Sequence, residues 1–122
     1  MMDEWAVYRR ALGGRGEDLA VVFLERAGMR VLDRNWRVPG GEIDIVARDG
    51  PALVVVEVKT RTSVRFGHPI DALTPARRHR LRGLGAAWAA RHRTPARPLR
   101  VDGVGVLVSG GRVFVSHERG MG

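Results

Sequence analysis

The sequence predicts one α/β domain built on a mixed sheet, in the order helix, three strands, helix, two strands. Three observations predict it. Apolar residues recur at helical spacing in two segments, roughly 17–27 and 74–92. Apolar and polar residues alternate in the segments between, most clearly over 42–48 and 53–60. Glycine, proline and aspartate gather at the joints, where the chain must turn. The 122 residues suit a single compact domain, and no internal repeat or low-complexity stretch divides them.

Residues 1–12 read as an N-terminal extension, either a short helix or a lengthening of the next one, interrupted by Gly13, Gly14 and Gly16. From Glu17 to Ala27, residues Ala20, Phe23, Leu24 and Ala27 form a helical stripe, and Gly28 ends it. A strand follows over Arg30 to Val38, then a turn at Pro39-Gly40-Gly41. In the strand Glu42 to Arg48, Ile43, Ile45 and Ala47 take one face, and Glu42, Asp44 and Val46 the other. Asp49-Gly50 is a hairpin turn signal. The next strand runs from Leu53 to about Thr60, with Val54, Val56 and Val58 on one face and Val55, Glu57 and Lys59 on the other.

Residues 61–73 form a connection rich in turn formers. Thr74 supplies a hydroxyl cap and Pro75 the first position of a helix that runs to about His92. Leu81, Leu84 and Trp88 make its buried stripe, and Pro95 and Pro98 end it. Two strands close the chain, Arg100 to Val108 and Arg112 to Ser116, joined by Ser109-Gly110-Gly111. Residues 117–122 read as a frayed tail.

Composition narrows the function. With no cysteine, disulfides and thiolate zinc sites are excluded. The N-terminus carries acid where a signal peptide needs base, and apolar runs such as Ala52 to Val56 are far shorter than a membrane span. The expectation is a cytoplasmic protein without a membrane partner. The net charge of +8 is unevenly spread: residues 60–122 hold twelve basic and three acidic side chains. Such a field attracts phosphate polymers, though it also serves solubility alone. Twenty of the 21 basic residues are Arg; the single Lys is Lys59. Lysine is a compact, flexible point charge that can approach a reacting phosphate, while arginine is a broad planar fork.

The hairpin gives Lys59 its context. A tight turn at Asp49-Gly50 sets Asp44 opposite residues 55 to 57, directly across or one diagonal step away. Asp44 and Glu57 then come within reach of one cation, with Lys59 one step further along the face of Glu57. Two carboxylates and a lysine on one sheet face need partners, metal or water. Hard carboxylate oxygens hold Mg²⁺ or Mn²⁺ and leave positions for water and phosphate oxygens, as phosphodiester hydrolysis requires. The alternative is a solvated hairpin with an ion pair between Glu57 and Lys59 or a neighbour.

The wording around these residues carries a resemblance. Gly41-Glu42-Ile43-Asp44-Ile45-Val46-Ala47 and Val55-Val56-Glu57-Val58-Lys59-Thr60-Arg61 resemble the YraN-like family of small bacterial proteins. Gly16-Glu17-Asp18-Leu19-Ala20, Asn35-Trp36-Arg37, Phe66-Gly67 with Pro69, and Arg100-Val101-Asp102 match that family's other landmarks in order. The family belongs to the PD-(D/E)xK superfamily of restriction-endonuclease-like nucleases, which includes archaeal Holliday-junction resolvases. The resemblance implies a restriction-endonuclease-like mixed sheet flanked by helices. It implies Asp44 and Glu57 as metal ligands, Val58 as a further ligand through its carbonyl, and Lys59 as catalytic lysine. Glu17 matches a helix glutamate that completes or supports the metal site in resolvase-like members, and a first-turn acid complementing the helix dipole is the other reading. Ile43 stands where the superfamily pattern names Pro.

Around this centre, Arg61 and the cluster Arg77, Arg78, Arg80 and Arg82 are candidates to hold phosphates beside the cut, or else form a solvated face. His68 lies in the loop after the second hairpin strand, while His79, His92 and His117 lack metal-ligand spacing and read as structural. Asp102 reads first as a structural acid. The leading expectation is a Mg²⁺- or Mn²⁺-dependent endonuclease acting on DNA, branched or single-stranded. The alternative is a nucleic-acid-binding module without chemistry. A homodimer fits a junction with two cutting points.

Overall fold

Two helices cover opposite faces of one five-stranded sheet in the computed structural model, which describes residues 16–62 and 73–120. Helix α1 (Gly16–Arg26) is followed by β1 (Arg30–Val38), β2 (Gly41–Asp49) and β3 (Ala52–Arg61). Helix α2 (Pro75–Arg91) then precedes β4 (Leu99–Ser109) and β5 (Arg112–Glu118). The strands lie in chain order, and β3 and β4 form the parallel pair of an otherwise antiparallel sheet. Parallel neighbours need a crossover, and α2 lies within it.

The local signals work as read. Glu17 and Asp18 place negative charge in the first turn of α1, and Gly28 leaves that helix at φ 93°, a conformation glycine adopts freely. The Thr74 hydroxyl accepts from the Arg77 backbone N–H at 3.2 Å, and Pro75 opens α2. Ala20 and Leu24 of α1 pack on Ile45, Ala47, Val54, Val56, Val104 and Val106. Leu81, Leu84 and Trp88 of α2 pack on Val46, Leu53, Val55 and Val101. Trp88 also donates its indole N–H to Asp33 Oδ2 at 2.8 Å.

Helix α2 lies close enough to β3 that one glycine is required. A Cβ at Gly85 would stand 2.5 Å from Val55 Cγ2 and 3.2 Å from Leu99 Cδ1, whereas one at Gly83 would meet nothing within 4 Å. Gly83→Ala is therefore expected to stabilise the fold by about 0.5–1 kcal/mol through helix propensity. Gly85→Ala is expected to destabilise it by about 1–2 kcal/mol, because overpacking outweighs that gain. Urea denaturation of the two variants checks the opposite signs.

Three expectations are corrected. The hairpin pairs Asp49 with Ala52, so its two-residue loop is Gly50-Pro51 and not Asp49-Gly50. The alternation of β2 breaks: Ile43 joins the α2 side with Val46, while Ile45 and Ala47 join the α1 side. The break falls where β1 and β2 pair Arg34 with Ile45 and then Trp36 with Ile43, passing over Asn35 and Asp44. Asn35 has φ 52° there, so the strand twists out of its regular pleat. The chain end is not frayed from residue 117: β5 continues to Glu118, and His117 and the Gly120 amide bind the buried carboxylate of Asp102.

Candidate active site

The site forms where β2 and β3 part. Their ladder runs from Asp49 and Ala52 up to Ile45 and Val56 and stops. One step further, Asp44 faces Glu57 in register, but its side chain takes over the ladder's role: Asp44 Oδ2 accepts the Val58 backbone N–H at 2.8 Å. In a strand, the N–H and C=O of one residue point to the same edge. The Val58 carbonyl therefore points toward the same gap as Asp44. Glu57, 5% exposed, sits on the α2 side, and its Oε2 accepts from Arg77 Nε at 2.7 Å. Lys59 follows two residues along, half-buried, with no ion-pair partner among the described residues.

Helix α1 brings a third acid near. Its first residue, Gly16, lies against the Thr60 side chain, leaving no room for a Cβ. Glu17 stands next to this contact but turns to β1, where Arg34 bridges Glu17 at 3.5 Å and Asp18 at 2.5 Å. Among the described residues no three of His, Cys, Asp and Glu converge as a metal site. Glu17 nonetheless lies near enough to Asp44 for its charge to push that carboxyl up.

The electrostatics mark Asp44. Burial pushes its carboxyl up to about 6; the Val58 N–H pulls down, and Glu57, Glu17 and Glu42 push up again. An unfolded aspartate titrates at about 3.9, so the folded chain holds this proton more tightly. The stability Asp44 contributes is full below that value and lost as pH rises through about 6. In metal-free protein at about pH 8, Asp44→Asn is expected to stabilise the fold by about 1 kcal/mol, discounted for partial exposure. The gain should vanish near pH 4. Urea denaturation in chelator at both pH values checks it; a loss at the higher pH would make Asp44 a structural acid.

The arginines flagged in the sequence are distributed over several tasks. Arg77 holds Glu57, Arg78 donates to the Leu73 carbonyl at 3.2 Å, and Arg82 donates to the Leu99 carbonyl at 3.1 Å. Arg80 reaches the Gly40 carbonyl in the β1–β2 turn at 2.6 Å. Arg61 is exposed at the end of β3, with its own strand's Thr60 carbonyl at 3.5 Å. The sequence reading missed the role of Arg77 as a partner of Glu57. Its signal was present: a helix N-terminus repels cations that lack an acid nearby. It also missed Arg34. Phe66, Gly67, His68 and Pro69, with residues 1–12, lie outside the described residues.

The donor chemistry suits a hard divalent ion. Asp44, Glu57 and the Val58 carbonyl offer oxygen ligands and no soft ones. Two carboxylates leave most of an octahedral shell to water and substrate oxygens, the habit of Mg²⁺. No helix among the described residues is long and apolar enough to cross a membrane.

The αβββαββ order of the described residues, a mixed five-stranded sheet with two flanking helices, is consistent with the restriction-endonuclease-like fold. The chain belongs to the uncharacterised protein family UPF0102, whose model matches residues 16–106. A UPF0102 protein of Renibacterium salmoninarum is 51% identical over 112 residues, covering 91% of this chain and 95% of the relative. One from Streptomyces griseus is 53% identical over 115 residues, covering 93% and 97%. One from a Nocardioides species is 46% identical over 118 residues, covering 96% and 95%.

Proposed function

We propose that this protein is a metal-dependent endonuclease that hydrolyses DNA phosphodiester bonds, branched or single-stranded DNA being the substrate. The observation that carries the reading is the opening between β2 and β3, where Asp44, Glu57 and the Val58 backbone converge beside the chain's only lysine. The resemblance of these segments to the YraN-like family of PD-(D/E)xK nucleases supports it, and DNA as substrate accords with a cytoplasmic protein of net charge +8. Asp44, Glu57 and the Val58 carbonyl would hold Mg²⁺ or Mn²⁺. A bound ion of this kind supplies an acidified water and neutralises phosphate charge.

The chain's own groups do the rest. Lys59, unpaired by any described acid, orients the attacking water or offsets charge developing on the phosphate. Arg77 fixes one oxygen of Glu57 and leaves the other for the ion. Arg61 and Arg80, both exposed, are placed to meet the phosphates that flank the cut.

Duplex, single strand, flap and four-way junction, each labelled and incubated with Mg²⁺ and with Mn²⁺, test the proposal. Cutting that requires metal and disappears in Glu57→Ala supports it. A second readout is independent of cutting: Mn²⁺ should raise the melting temperature of the wild type and leave that of Asp44→Asn unmoved. Neither cutting nor a metal-dependent shift would sink the reading. The binding-module alternative draws on one observation, that Arg77 already occupies part of Glu57. It requires steeply salt-dependent DNA binding with no cleavage in any metal.

A further inference from the structure

The sheet has two edges, and they differ in kind. Edge strand β1 carries the devices that discourage pairing with another chain: a register shift between Val31 and Asp33, Asn35 at φ 52°, and the charges Arg30, Asp33, Arg34 and Arg37. Edge strand β5 has neither register shift nor positive φ, and its charges, Arg112 and Glu118, stand only at its ends. Its register with β4 is unbroken from Arg112 opposite Ser109 to Glu118 opposite Gly103. Its centre is Val113-Phe114-Val115, without charge, proline or glycine. Val113 and Val115 pack on the core under α1, while Phe114 points to the other face and is 52% exposed. A regular edge with an apolar, uncharged centre is a template for another strand.

The residues of β5 specify which strand fits. We propose that two copies of this chain pair β5 antiparallel about a two-fold axis at Val115, joining their sheets into one. In that register Arg112 of each copy lies across from Glu118 of the other, twice by symmetry. Val113 lies across from His117, and Phe114 across from Ser116. The two Phe114 rings become diagonal neighbours, about 7–8 Å apart and within aromatic reach. This covers the exposed ring. A shift by one residue would set core-facing side chains against outward-facing ones, and a shift by two would lose both Arg–Glu pairs.

A seven-residue edge makes a small interface, and two chains of charge +8 repel, so the dimer is weak. The pairing uses neither Asp44 nor Glu57 and does not depend on the nuclease reading.

Sedimentation velocity of the full chain from about 5 to about 500 μM gives the dissociation constant. Glu118→Arg sets like charges across the axis and should weaken the dimer at least about tenfold, as should Phe114→Lys. The double variant Arg112→Glu with Glu118→Arg restores opposite charges and should return within about threefold of the wild type. Both charged positions are exposed, so these variants keep the fold. A wild type that stays monomeric throughout overturns the proposal. So does a dimer that Glu118→Arg leaves intact, or a double variant no better than the single.

Discussion

Alanine at Glu57 or at Asp44 is expected to reduce metal-dependent DNA cutting by about 10³-fold or more, with DNA binding largely retained. Each removes one of the two carboxylates that flank the opening between β2 and β3. Lys59→Ala is expected to fall in the same range while still binding the ion, because the role proposed for the lysine is on water or phosphate rather than on the metal. Stability separates this outcome from a structural defect. Asp44→Asn should be inactive yet more stable at neutral pH without metal, since burial and three nearby acids hold its carboxyl up at about 6. A residue present for the fold would lose both properties together. Gains in stability on removing a charged group are characteristic of functional sites. Full cutting by Asp44→Ala and Glu57→Ala would remove these residues from the site.

Loss of Asp102 is expected to be the most damaging single change to stability, about 3–5 kcal/mol for Asp102→Ala. Its side chain is 0% exposed and accepts from Arg100 at 2.9 and 3.1 Å, from the Gly120 amide at 3.0 Å, and meets His117 Nε2 at 2.8 Å. Arg100 also pairs with Asp49 at the end of β2, at 2.9 Å. One carboxylate thus joins the first hairpin, β4, β5 and the chain end. Without it, buried donors lose their acceptor. Burial alone would push the Asp102 carboxyl up, but Arg100, Gly120 and His117 outweigh it and hold it below the ordinary range. That stability is present above about pH 3.9 and lost as pH falls through the folded value. Acid titration of wild type against variant, followed by circular dichroism, checks both size and sign. Cutting per folded molecule should persist, because the network lies on the α1 side, with His117 edge-on to Phe23, while Glu57 faces α2.

Much of the candidate site was legible because a two-residue hairpin leaves little freedom. Once Gly50 was recognised as a turn residue, Asp44 had to fall near Glu57, and the period of two put Lys59 on the same face as Glu57. Detail was lost where the period failed. Ile43, Ile45 and Ala47 read as one face, and nothing in β2 itself signals the break at Asp44. Beside it in the neighbouring strand stands Asn35, whose left-handed backbone is only weakly implied by its side chain. The chain end was misjudged for a similar reason. Residues 117–122 contain two glycines and little apolar surface, and only the presence of Asp102 shows why His117 and Gly120 are held.

The sequence by itself determined the element order, the two helix stripes and the identity of the polar residues on the central hairpin. These depend on periods of 3.6 and 2 and on local capping and turn chemistry, which neighbouring residues decide among themselves. The tertiary structure alone decided the partners of the charges. It turned Arg77 onto Glu57 across twenty residues, Arg34 onto Glu17 and Asp18, and His117 onto Asp102. It also left β5 as the plain edge of the sheet. An ion pair or a strand edge depends on which segments arrive beside one another, and that is fixed by packing of the whole chain, not by spacing along it.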